Sequence, residues 1–330
     1  MPLLLMEADV RALLTMPIAL ETVEAAFRRL ADGTANVHPR RRLHLEGFSY
    51  LHYMAAADGA GGYEGLKIYT SSREGLRFMI PLFGAKTGEL LAILEGDYLG
   101  QMRTGAATGL ATKLLAREDA SVVGIIGTGL QASTQLEAVT TVRRVNRVRA
   151  FGRNVERREK FAREMTARLQ LPVEATASAE EVVREAEILI TATTAVDPVF
   201  DGRWVRSGAH INAVGANFPQ KRELDGETVR RASAVFVDSC EQAKMEAGDL
   251  IQSFEKTPER WKDVKELAQL VAGRVVGRAS RDQITLFKSS GIAIEDIVTA
   301  GRVYELALER NLGKRVSFWE ADEARGRTAS

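Results

Sequence analysis

A lysine and an arginine in the first third of the chain have the chemistry to hold a small anionic substrate. Lys67 lies in the stretch EGLKIYT between Leu66 and Ile68, so strand alternation places it on the same face as Tyr69. Burial of that ammonium group would lower its pKa and suit it to act beside a carbonyl or an imine. A solvated lysine on an edge strand is the alternative interpretation, and composition alone leaves both open.

Arg103 stands immediately before the small-residue run TGAATGLATKLLAR, which predicts a helix over 104–117. A cation at the N-terminus of a helix is repelled by the helix dipole, so this position makes physical sense when an anion lies between the two. We therefore expect Arg103 to bind a substrate carboxylate. The stretch HPRRR at 38–42 supplies further cations, for which a solvated loop is the alternative.

The stretch VVGIIGTGLQA contains a glycine-rich loop directly after a predicted strand and before a predicted helix. Gly127 permits a tight turn, Gly129 lets the backbone approach a pyrophosphate, and Ala132 replaces the third glycine as a small packing residue. Free N–H groups at the start of the helix then favour phosphate. A glycine turn in a flavodoxin-like fold is the alternative. The loop residues predicted to bind a dinucleotide are Gly127, Thr128, Gly129, Leu130 and Gln131.

The strand after this loop ends in AFGRN, which bears on the choice between the two nicotinamide cofactors. NAD enzymes usually carry an acid here that accepts the ribose 2′-hydroxyl, whereas this chain has Arg153 and Asn154. A guanidinium pairs with a 2′-phosphate and offers no acceptor to a ribose diol. The pattern favours NADP(H) over NAD(H), unless Arg153 merely begins a solvated charged helix.

The stretch HINAVGANFP indicates an apolar strand that ends at Gly215, two residues before Asn217. Ligands of an open α/β sheet lie beyond the carboxyl ends of its strands, so we expect Asn217 to face the pocket. An amide is no base near neutral pH, and it would act there through hydrogen bonds alone. A turn residue with unusual backbone angles is the alternative. The other residues predicted to bind the cofactor are Thr104, Thr193, Val214, Gly215, Ser290 and Gly291.

The elements that must position these residues follow two patterns. From residue 121 onward, short apolar runs alternate with helical stretches, which is typical of a doubly wound parallel sheet covered on both faces. Before that point, residues 40–70 and 78–96 indicate strands joined by turns. We expect the stretch 282–291 to close the parallel sheet.

This division predicts an α/β fold with two domains. The Rossmann-type dinucleotide-binding domain is predicted over 118–293. An α+β substrate-binding domain is predicted over 1–117 plus 294–330, because the last helix, 294–311, is expected to return to the first part of the chain. A chain of 330 residues is long enough for two cores of this size.

Composition argues against several classes of function. With 45 basic and 44 acidic side chains, the sequence lacks the basic surplus of a nucleic-acid-binding surface. The single cysteine, Cys240, allows no internal disulfide and fits a reducing compartment. No stretch approaches the ~18 apolar residues of a membrane span, and MPLLLMEAD is a poor signal peptide. We expect a cytoplasmic protein with no metal, no nucleic-acid partner and no membrane partner.

Several of these stretches, taken together and in order, are similar to the ornithine cyclodeaminase/mu-crystallin family. That family also includes archaeal-type alanine dehydrogenases and reductases of cyclic ketimines such as pyrroline-2-carboxylate. The similarity runs over nearly the whole chain. The matching stretches are GLK at 65–67, RTGAATGLATKLLAR at 103–117, GTGLQA at 127–132, HINAVGA at 210–216, KREL at 221–224 and FKSSGIAIEDIVTA at 287–300.

The resemblance implies a homodimer formed through the non-Rossmann domain, and a substrate site that contains Lys67 and Arg103. Arg41, in the P-x-R pattern that starts at Pro39, would be a second contact to the substrate carboxylate. Asn217 departs from the cyclodeaminases and several alanine dehydrogenases, in which an aspartate resembles this position. The ketimine-reducing members also lack the acid there.

We therefore hypothesise an NAD(P)H-dependent reductase of imino acids, with Lys67 and Asn217 as candidate catalytic residues and a small amino or imino acid as its ligand. Three alternatives stay open. One is an NAD-dependent ornithine cyclodeaminase that releases ammonia and proline, and another is an alanine dehydrogenase. The third is a non-catalytic protein that binds a dinucleotide or another small ligand, although retention of Lys67 and Arg103 argues against it.

Overall fold

The computed structural model describes residues 1–72 and 74–317, which form two β-sheets and the helices that cover them. The helices are α1 (Glu7–Leu13), α2 (Met16–Ala31), α3 (Asp97–Leu115), α4 (Leu130–Val142), α5 (Val155–Leu169), α6 (Ala179–Glu185), α7 (Gly226–Arg231), α8 (Cys240–Glu246), α9 (Gly248–Ser253), α10 (Leu267–Val271) and α11 (Ala293–Arg310). The strands of the first sheet are β1 (Leu3–Leu5), β2 (Ala35–Leu43), β3 (Tyr50–Asp58), β4 (Tyr63–Ser72), β5 (Gly75–Gly84), β6 (Leu90–Glu95) and β15 (Lys314–Arg315). Those of the second sheet are β7 (Val122–Ile126), β8 (Arg147–Phe151), β9 (Val173–Ala175), β10 (Ile188–Thr191), β11 (His210–Ala213), β12 (Ala234–Val237), β13 (Lys265–Glu266) and β14 (Thr285–Lys288).

The first sheet buries one of its faces. Strands β2 to β6 form an antiparallel meander, and β1 joins β6 in parallel. Along β3 the side chains alternate, so that His52 and Met54 are buried whereas Leu51 and Tyr53 are 37% and 38% exposed. The buried face packs against a core to which α2, α3 and α11 contribute, and within the described residues the opposite face is largely exposed.

The second sheet is parallel, with the strand order β13-β12-β14-β11-β10-β7-β8-β9. Its central strands β10, β11, β12 and β14 are buried along their whole length, as expected for a sheet covered on both faces. The strand order reverses between β7 and β10, which opens a crevice beyond their carboxyl ends. The predicted α/β fold, a Rossmann-type sheet with a second α+β unit, is confirmed.

Two elements differ from the sequence-based prediction. β14 does not close the sheet, because it pairs with both β11 and β12 and the short strand β13 takes the edge. Helix α3 begins at Asp97, so Arg103 lies well inside it and the argument from the helix dipole was wrong. The helix begins earlier than predicted because Glu7, which is distant in the sequence, caps its N-terminus. Glu7 Oε1 accepts hydrogen bonds from the N–H groups of Asp97 and Tyr98 at 2.8 and 3.0 Å.

The small residues of α3 let this helix approach α4 closely. A Cβ at Gly105 would lie 2.5 Å from the backbone oxygen of Thr134, and one at Gly109 would lie 3.1 Å from Ala138 Cβ. Thr134 is about one turn from the start of α4, where the glycine-rich loop ends. The spacing of glycines therefore brings the helix that carries Arg103 against the helix that follows the predicted cofactor loop.

Helix α11 returns to the first sheet, as the sequence predicted, and packs against β3 and β4. The final part of the predicted first domain, 318–330, lies outside the described residues. Within residues 1–72 and 74–317, no helix is long and apolar enough to cross a membrane. The same residues contain no cluster of three or more His, Cys, Asp or Glu side chains placed to hold a metal ion.

Candidate active site

Lys67 and Arg103 meet at the same carboxylate on the buried face of the first sheet. Lys67 Nζ donates to Asp296 Oδ1 at 2.7 Å, and Arg103 Nε donates to the same oxygen at 3.0 Å. Arg103 Nη1 also donates to Glu295 Oε2 at 2.8 Å. Because Lys67 is 3% exposed and Arg103 is 6% exposed, the structure excludes a solvated lysine on an edge strand.

These two cations differ in whether their charge can change near neutral pH. The pKa of Lys67 is lowered to about 8, chiefly by burial and next by the positive charge of Arg103, while Asp296 acts in the opposite direction. Burial also acts to lower the pKa of Arg103, but Asp296 and Glu295 outweigh it and the pKa is raised. Arg103 is therefore a permanent cation, whereas Lys67 can give up a proton.

The three arginines of β2 point in alternate directions, and this differs from the expected register. Arg40 is buried, with Nη1 donating to Glu246 Oε1 at 2.5 Å and Nη2 donating to the backbone oxygen of Ser290 at 2.9 Å. Arg42 Nη2 donates to Glu246 Oε2 at 2.6 Å. Arg41, predicted to contact the substrate carboxylate, is exposed on the opposite face. A register shift between His38 and Arg41 in the β2–β3 pairing sets which arginines face inward.

The same cations lie against loops that follow strands of the second sheet. Gly291 has a φ of +74°, and a Cβ there would collide with Arg103 Nη1, so this position needs glycine for two reasons. Arg40 Nη2 donates to the Gly291 carbonyl at 3.1 Å, and Arg42 Nη2 donates to the Asn217 carbonyl at 2.8 Å. The predicted substrate side and the carboxyl ends of β11 and β14 therefore form one cleft.

Asn217 lies in this cleft, although its side chain has no hydrogen-bond partner among the described residues. It is half-buried in the segment after β11, and its backbone carbonyl is the group that Arg42 holds. In the described part of the chain, only Gln170 and Asn311 are non-glycine residues with positive φ. Asn217 therefore does not adopt a left-handed backbone conformation, and its amide has no partner among the described residues that would keep it from a ligand.

The glycine-rich loop has the geometry expected of a dinucleotide-binding turn. Gly127 has a φ of +105°, and a Cβ there would collide with the backbone oxygen of Ala192 at the end of β10. A Cβ at Gly129 would meet no atom within 4 Å, which leaves open space at the N-terminus of α4. Buried polar atoms without a hydrogen-bond partner, Gln131 Oε1 and Ser290 Oγ, lie on predicted cofactor residues.

The remaining predicted cofactor residues lie around the same crevice. Thr193 and Gly215 are close together, because a Cβ at Gly215 would lie 2.5 Å from the Thr193 nitrogen. Val214 directly follows β11 and is partly exposed, and Leu130 is 64% exposed at the start of α4. Thr104 Oγ1 donates within α3 to the Gly100 carbonyl. Leu130, Thr193, Val214 and Gly215 thus lie at the edge where β7, β10 and β11 end, whereas Thr104 lies inside α3.

At the end of β8 the two predicted residues differ in what they contact. Asn154 Oδ1 accepts a hydrogen bond from the Arg157 N–H at 2.8 Å and caps α5, so its side chain is committed to the helix. Arg153 is exposed and has no hydrogen bond or ion pair within the described residues. Gly152 lies against Thr128, since a Cβ there would come within 2.6 Å of Thr128 Oγ1. This guanidinium is therefore free beside the cofactor loop.

Sequence reasoning missed a set of buried acids that shape the cleft. Glu223 Oε1 accepts from the Thr193 N–H at 2.6 Å and Oε2 from the Gly215 N–H at 2.7 Å, so it ties the ends of β10 and β11 together. Lys288, fully buried in β14, donates to the Ala216 carbonyl at 2.5 Å and lies 3.0 Å from Asp249. Burial raises the pKa of Glu223, against the neighbouring charge of Lys288. The KREL and FKSSG stretches contained Glu223 and Lys288, but nothing local indicated what they contact.

An aromatic row borders the cations on the first sheet. His52, Tyr69 and Phe78 are direct cross-strand neighbours on β3, β4 and β5, with ring centroids 4.2 and 5.0 Å apart. Lys67 Nζ lies 5.2 Å from the centroid of Phe78, and Phe218 of the second unit meets His52 edge-on. The pKa of His52 is lowered to about 4 by burial, then by Arg42 and Arg40. The row therefore presents a neutral, largely apolar wall beside Lys67.

Comparison with known proteins identifies the family to which this chain is similar. A model described as the ornithine cyclodeaminase/mu-crystallin family matches residues 1–311. A Δ(1)-pyrroline-2-carboxylate reductase of Bacillus cereus is 40% identical over 262 residues, which are 77% of this chain and 80% of that protein.

Two solved structures share the whole architecture. The Δ(1)-pyrroline-2-carboxylate reductase of Thermococcus litoralis, in complex with NADH and L-proline, superposes with a TM-score of 0.92 at 40% identity, covering 95% of this chain and 100% of that one. An archaeal alanine dehydrogenase dimer with bound NAD gives a TM-score of 0.91 at 36% identity, with 96% and 99% covered. Both relatives bind a nicotinamide dinucleotide. The resemblance seen in the sequence is confirmed, and the chain belongs to the ornithine cyclodeaminase/mu-crystallin family.

Proposed function

We propose that this chain is an NAD(P)H-dependent reductase of imino acids, with cyclic ketimines such as pyrroline-2-carboxylate as the preferred class. The observation that carries the proposal is the pair Lys67 and Arg103, both buried and both held by Asp296 in the cleft shared with the loops after β11 and β14. A buried titratable amine beside a permanent guanidinium suits a substrate that has a carboxylate next to a C=N bond.

Donors with no partner among the described residues are available for the carboxylate. Arg103 Nη2 makes no hydrogen bond there, and neither does Arg42 Nη1. Two guanidinium groups that face one cleft can bind a carboxylate through charge-assisted hydrogen bonds. We therefore assign the second carboxylate contact to Arg42, in place of the outward-facing Arg41.

The reaction needs one hydride and one proton. When bound, a reduced nicotinamide would supply the hydride that converts C=N to CH–N at the imine carbon. If the imine enters neutral, its nitrogen must gain a proton, and Lys67 with a pKa of about 8 is protonated below that pH and is close to the site. The amide of Asn217 orients the substrate nitrogen or the nicotinamide through hydrogen bonds, and the aromatic row of His52, Tyr69 and Phe78 excludes water on one side.

Asn217 also bears on the cyclodeaminase alternative. Deamination needs a base near the amine or near its attacking water, and an amide is not one. The cleft does contain carboxylates, but Asp296 and Glu295 are already hydrogen-bonded to Lys67 and Arg103. Reduction needs only a hydride, a proton and a bound carboxylate. The described cleft contains groups that can supply the proton and bind the carboxylate.

The residues present fit a nicotinamide dinucleotide. The pyrophosphate and its flanking riboses would lie in the open space above Gly129, next to Gly127, whose backbone conformation requires glycine. Gln131 Oε1 and Ser290 Oγ, which have no hydrogen-bond partner among the described residues, would be available to contact them. We propose NADP(H) as the preferred form, for two reasons. Arg153 has no hydrogen bond or ion pair among the described residues, and the end of β8 lacks the acid that binds the ribose 2′-hydroxyl in NAD enzymes. NAD(H) would still bind through the contacts shared by both cofactors.

We further propose that the chain forms a homodimer through the open face of the first sheet. Large apolar side chains are exposed there, with Leu51 at 37%, Tyr53 at 38% and Met79 at 43%. Residues 1–117 together with 294–330 would then form the substrate-binding and dimerisation domain, and 118–293 the dinucleotide-binding domain. Sedimentation of the purified protein measures the oligomeric state directly.

The proposed function is tested by mixing the purified protein with NADPH and pyrroline-2-carboxylate and following the loss of NADPH absorbance, with proline measured as the product. Acyclic imines formed from pyruvate and an amine are run in parallel, and NADH replaces NADPH in a second series. Ornithine with NAD, assayed for ammonia, tests the cyclodeaminase alternative. A folded protein that binds NADPH but oxidises it with none of these imines contradicts the proposal.

A further inference from the structure

One oxygen of Asp296 connects the two cations of the proposed substrate site. Oδ1 accepts from Lys67 Nζ at 2.7 Å and from Arg103 Nε at 3.0 Å, while Oδ2 is buried with no hydrogen-bond partner among the described residues. Asp296 is 0% exposed, so solvent does not screen these contacts. The carboxylate therefore fixes the distance and the relative orientation of Lys67 and Arg103.

Glu295, the preceding residue on α11, makes a different contact. Its Oε2 accepts from Arg103 Nη1 at 2.8 Å, and it has no hydrogen bond to Lys67. Burial raises the pKa of Glu295 to about 8, against the attraction of Arg103. Two neighbouring acids on one helix therefore hold the same arginine, but only Asp296 also holds the lysine.

The charges around Lys67 come from three elements. Arg103 on α3 and Arg40 on β2 each favour loss of the lysine proton, and Asp296 on α11 favours its retention. Gly100 of α3 leaves room for the ammonium group, since a Cβ there would lie 3.0 Å from Lys67 Nζ. Asp296 is thus the nearest negative charge that opposes burial and two guanidinium groups.

We infer that Asp296 is a positioning residue, which aims the Lys67 ammonium group and the Arg103 guanidinium at the same substrate and keeps Lys67 protonated while the substrate binds. The inference rests on the proposed imino acid reductase for its kinetic consequences but not for its effect on Lys67. Without this carboxylate, Lys67 would face two guanidinium groups with no acid hydrogen-bonded to its own ammonium group, and its proton would be lost at lower pH.

The test compares Asp296→Asn with the matched control Glu295→Gln, two neutral replacements of adjacent acids on one helix. Lys67 is followed by NMR in protein labelled with ¹⁵N-lysine and assigned with Lys67→Arg. In the wild type we expect a midpoint near the lowered pKa of about 8. In Asp296→Asn the midpoint should fall by about one pH unit or more, and in Glu295→Gln it should stay within a few tenths.

Kinetics with NADPH and pyrroline-2-carboxylate give the second measurement. Asp296→Asn should shift the alkaline fall of kcat/KM to lower pH by the same amount and raise KM about tenfold at neutral pH. Glu295→Gln should raise KM through Arg103 and leave the alkaline limb in place. Asp296→Glu, which retains the charge, should restore most of the lysine titration and provides a readout if the asparagine variant does not fold.

The outcomes separate the two proposals. If the lysine midpoint moves as expected but no imine is reduced, the positioning role stands and the proposed function fails. If imines are reduced but the Asp296 and Glu295 variants leave both the lysine midpoint and the alkaline limb unchanged, or shift them equally, the positioning role is overturned.

Discussion

In the second sheet the buried carboxylates accept hydrogen bonds largely from backbone N–H groups, whereas on the first sheet they accept them largely from charged side chains. Glu223 holds the N–H groups of Thr193 and Gly215, and Asp238 holds those of Ser290 and Gly291, both at 2.6 Å. Facing the first sheet, Glu246 of α8 and Glu295 and Asp296 of α11 hold the guanidinium or ammonium groups of Arg40, Arg42, Lys67 and Arg103.

Under the proposed function, this difference prepares one cleft for two kinds of ligand. A dinucleotide is recognised mainly by backbone shape, so the acids of the second sheet fix loops whose free N–H groups and open spaces remain available. A small acid is recognised by side-chain charge, so the acids that face the first sheet fix cations and leave some of their donors without a partner among the described residues. Both sets are buried before any ligand arrives, which reduces the reorganisation that binding requires.

Lys288 is the exception at the second sheet, because it is a charged side chain that pairs with a buried acid, Asp249. Of the replacements described below, that of Lys288 should lower the free energy of unfolding most. Lys288→Met removes the cation that lies between the buried acids Asp249 and Glu223. We expect the free energy of unfolding to fall by about 3–5 kcal/mol, because buried charge is left uncompensated. Urea unfolding measures it.

The matched control for that experiment is Lys113→Met. Lys113 also pairs with an acid, Glu24, at 2.9 Å, but its side chain is 51% exposed. An exposed pair contributes about 0–1 kcal/mol, so this variant should unfold almost like the wild type. Equal losses for both lysines would show that burial does not distinguish the two networks.

A comparison of Arg42→Met with Arg41→Met tests which of these two arginines of β2 binds the substrate carboxylate. Arg42 faces the cleft with Nη1 unpaired among the described residues, whereas Arg41 is exposed on the opposite face. Loss of a charge-assisted contact of about 1.5–3 kcal/mol should raise the KM for the imino acid by roughly tenfold or more. Arg41→Met should change it less than about twofold, and kinetics at saturating NADPH decide between the two arginines.

Arg153→Ala tests whether cofactor choice depends on a side chain at all. The free guanidinium at the end of β8 should interact with a 2′-phosphate only, so the KM for NADPH should rise by about tenfold and the KM for NADH should stay nearly constant. Arg157→Ala, in the first turn of α5, is the control with a similar charge. A parallel rise for both cofactors would indicate that Arg153 supports the loop and does not select the phosphate.

Much of the fold could be predicted from the sequence because the signals are local. The glycine-rich loop of 127–132, the small-residue run that forms most of α3 and the apolar runs of the second sheet each depend on a few neighbouring residues. Alternation in a strand is strictly local, so it placed Lys67 on the same face as Tyr69, but only the tertiary structure showed that this face is buried. The role of Glu295 and Asp296 could not be predicted, since their partner Arg103 is 192 and 193 residues away.

By itself the sequence determined the α/β class and the family, and it predicted which residue types would face a dinucleotide and an acid. The tertiary structure decided which arginine of β2 turns inward, because a register shift against β3 is a property of two strands. It also decided where α3 begins, since the capping carboxylate of Glu7 comes from 90 residues earlier. Spacing along the chain determines local conformation, but charges in a buried cleft find their partners only when distant segments pack together.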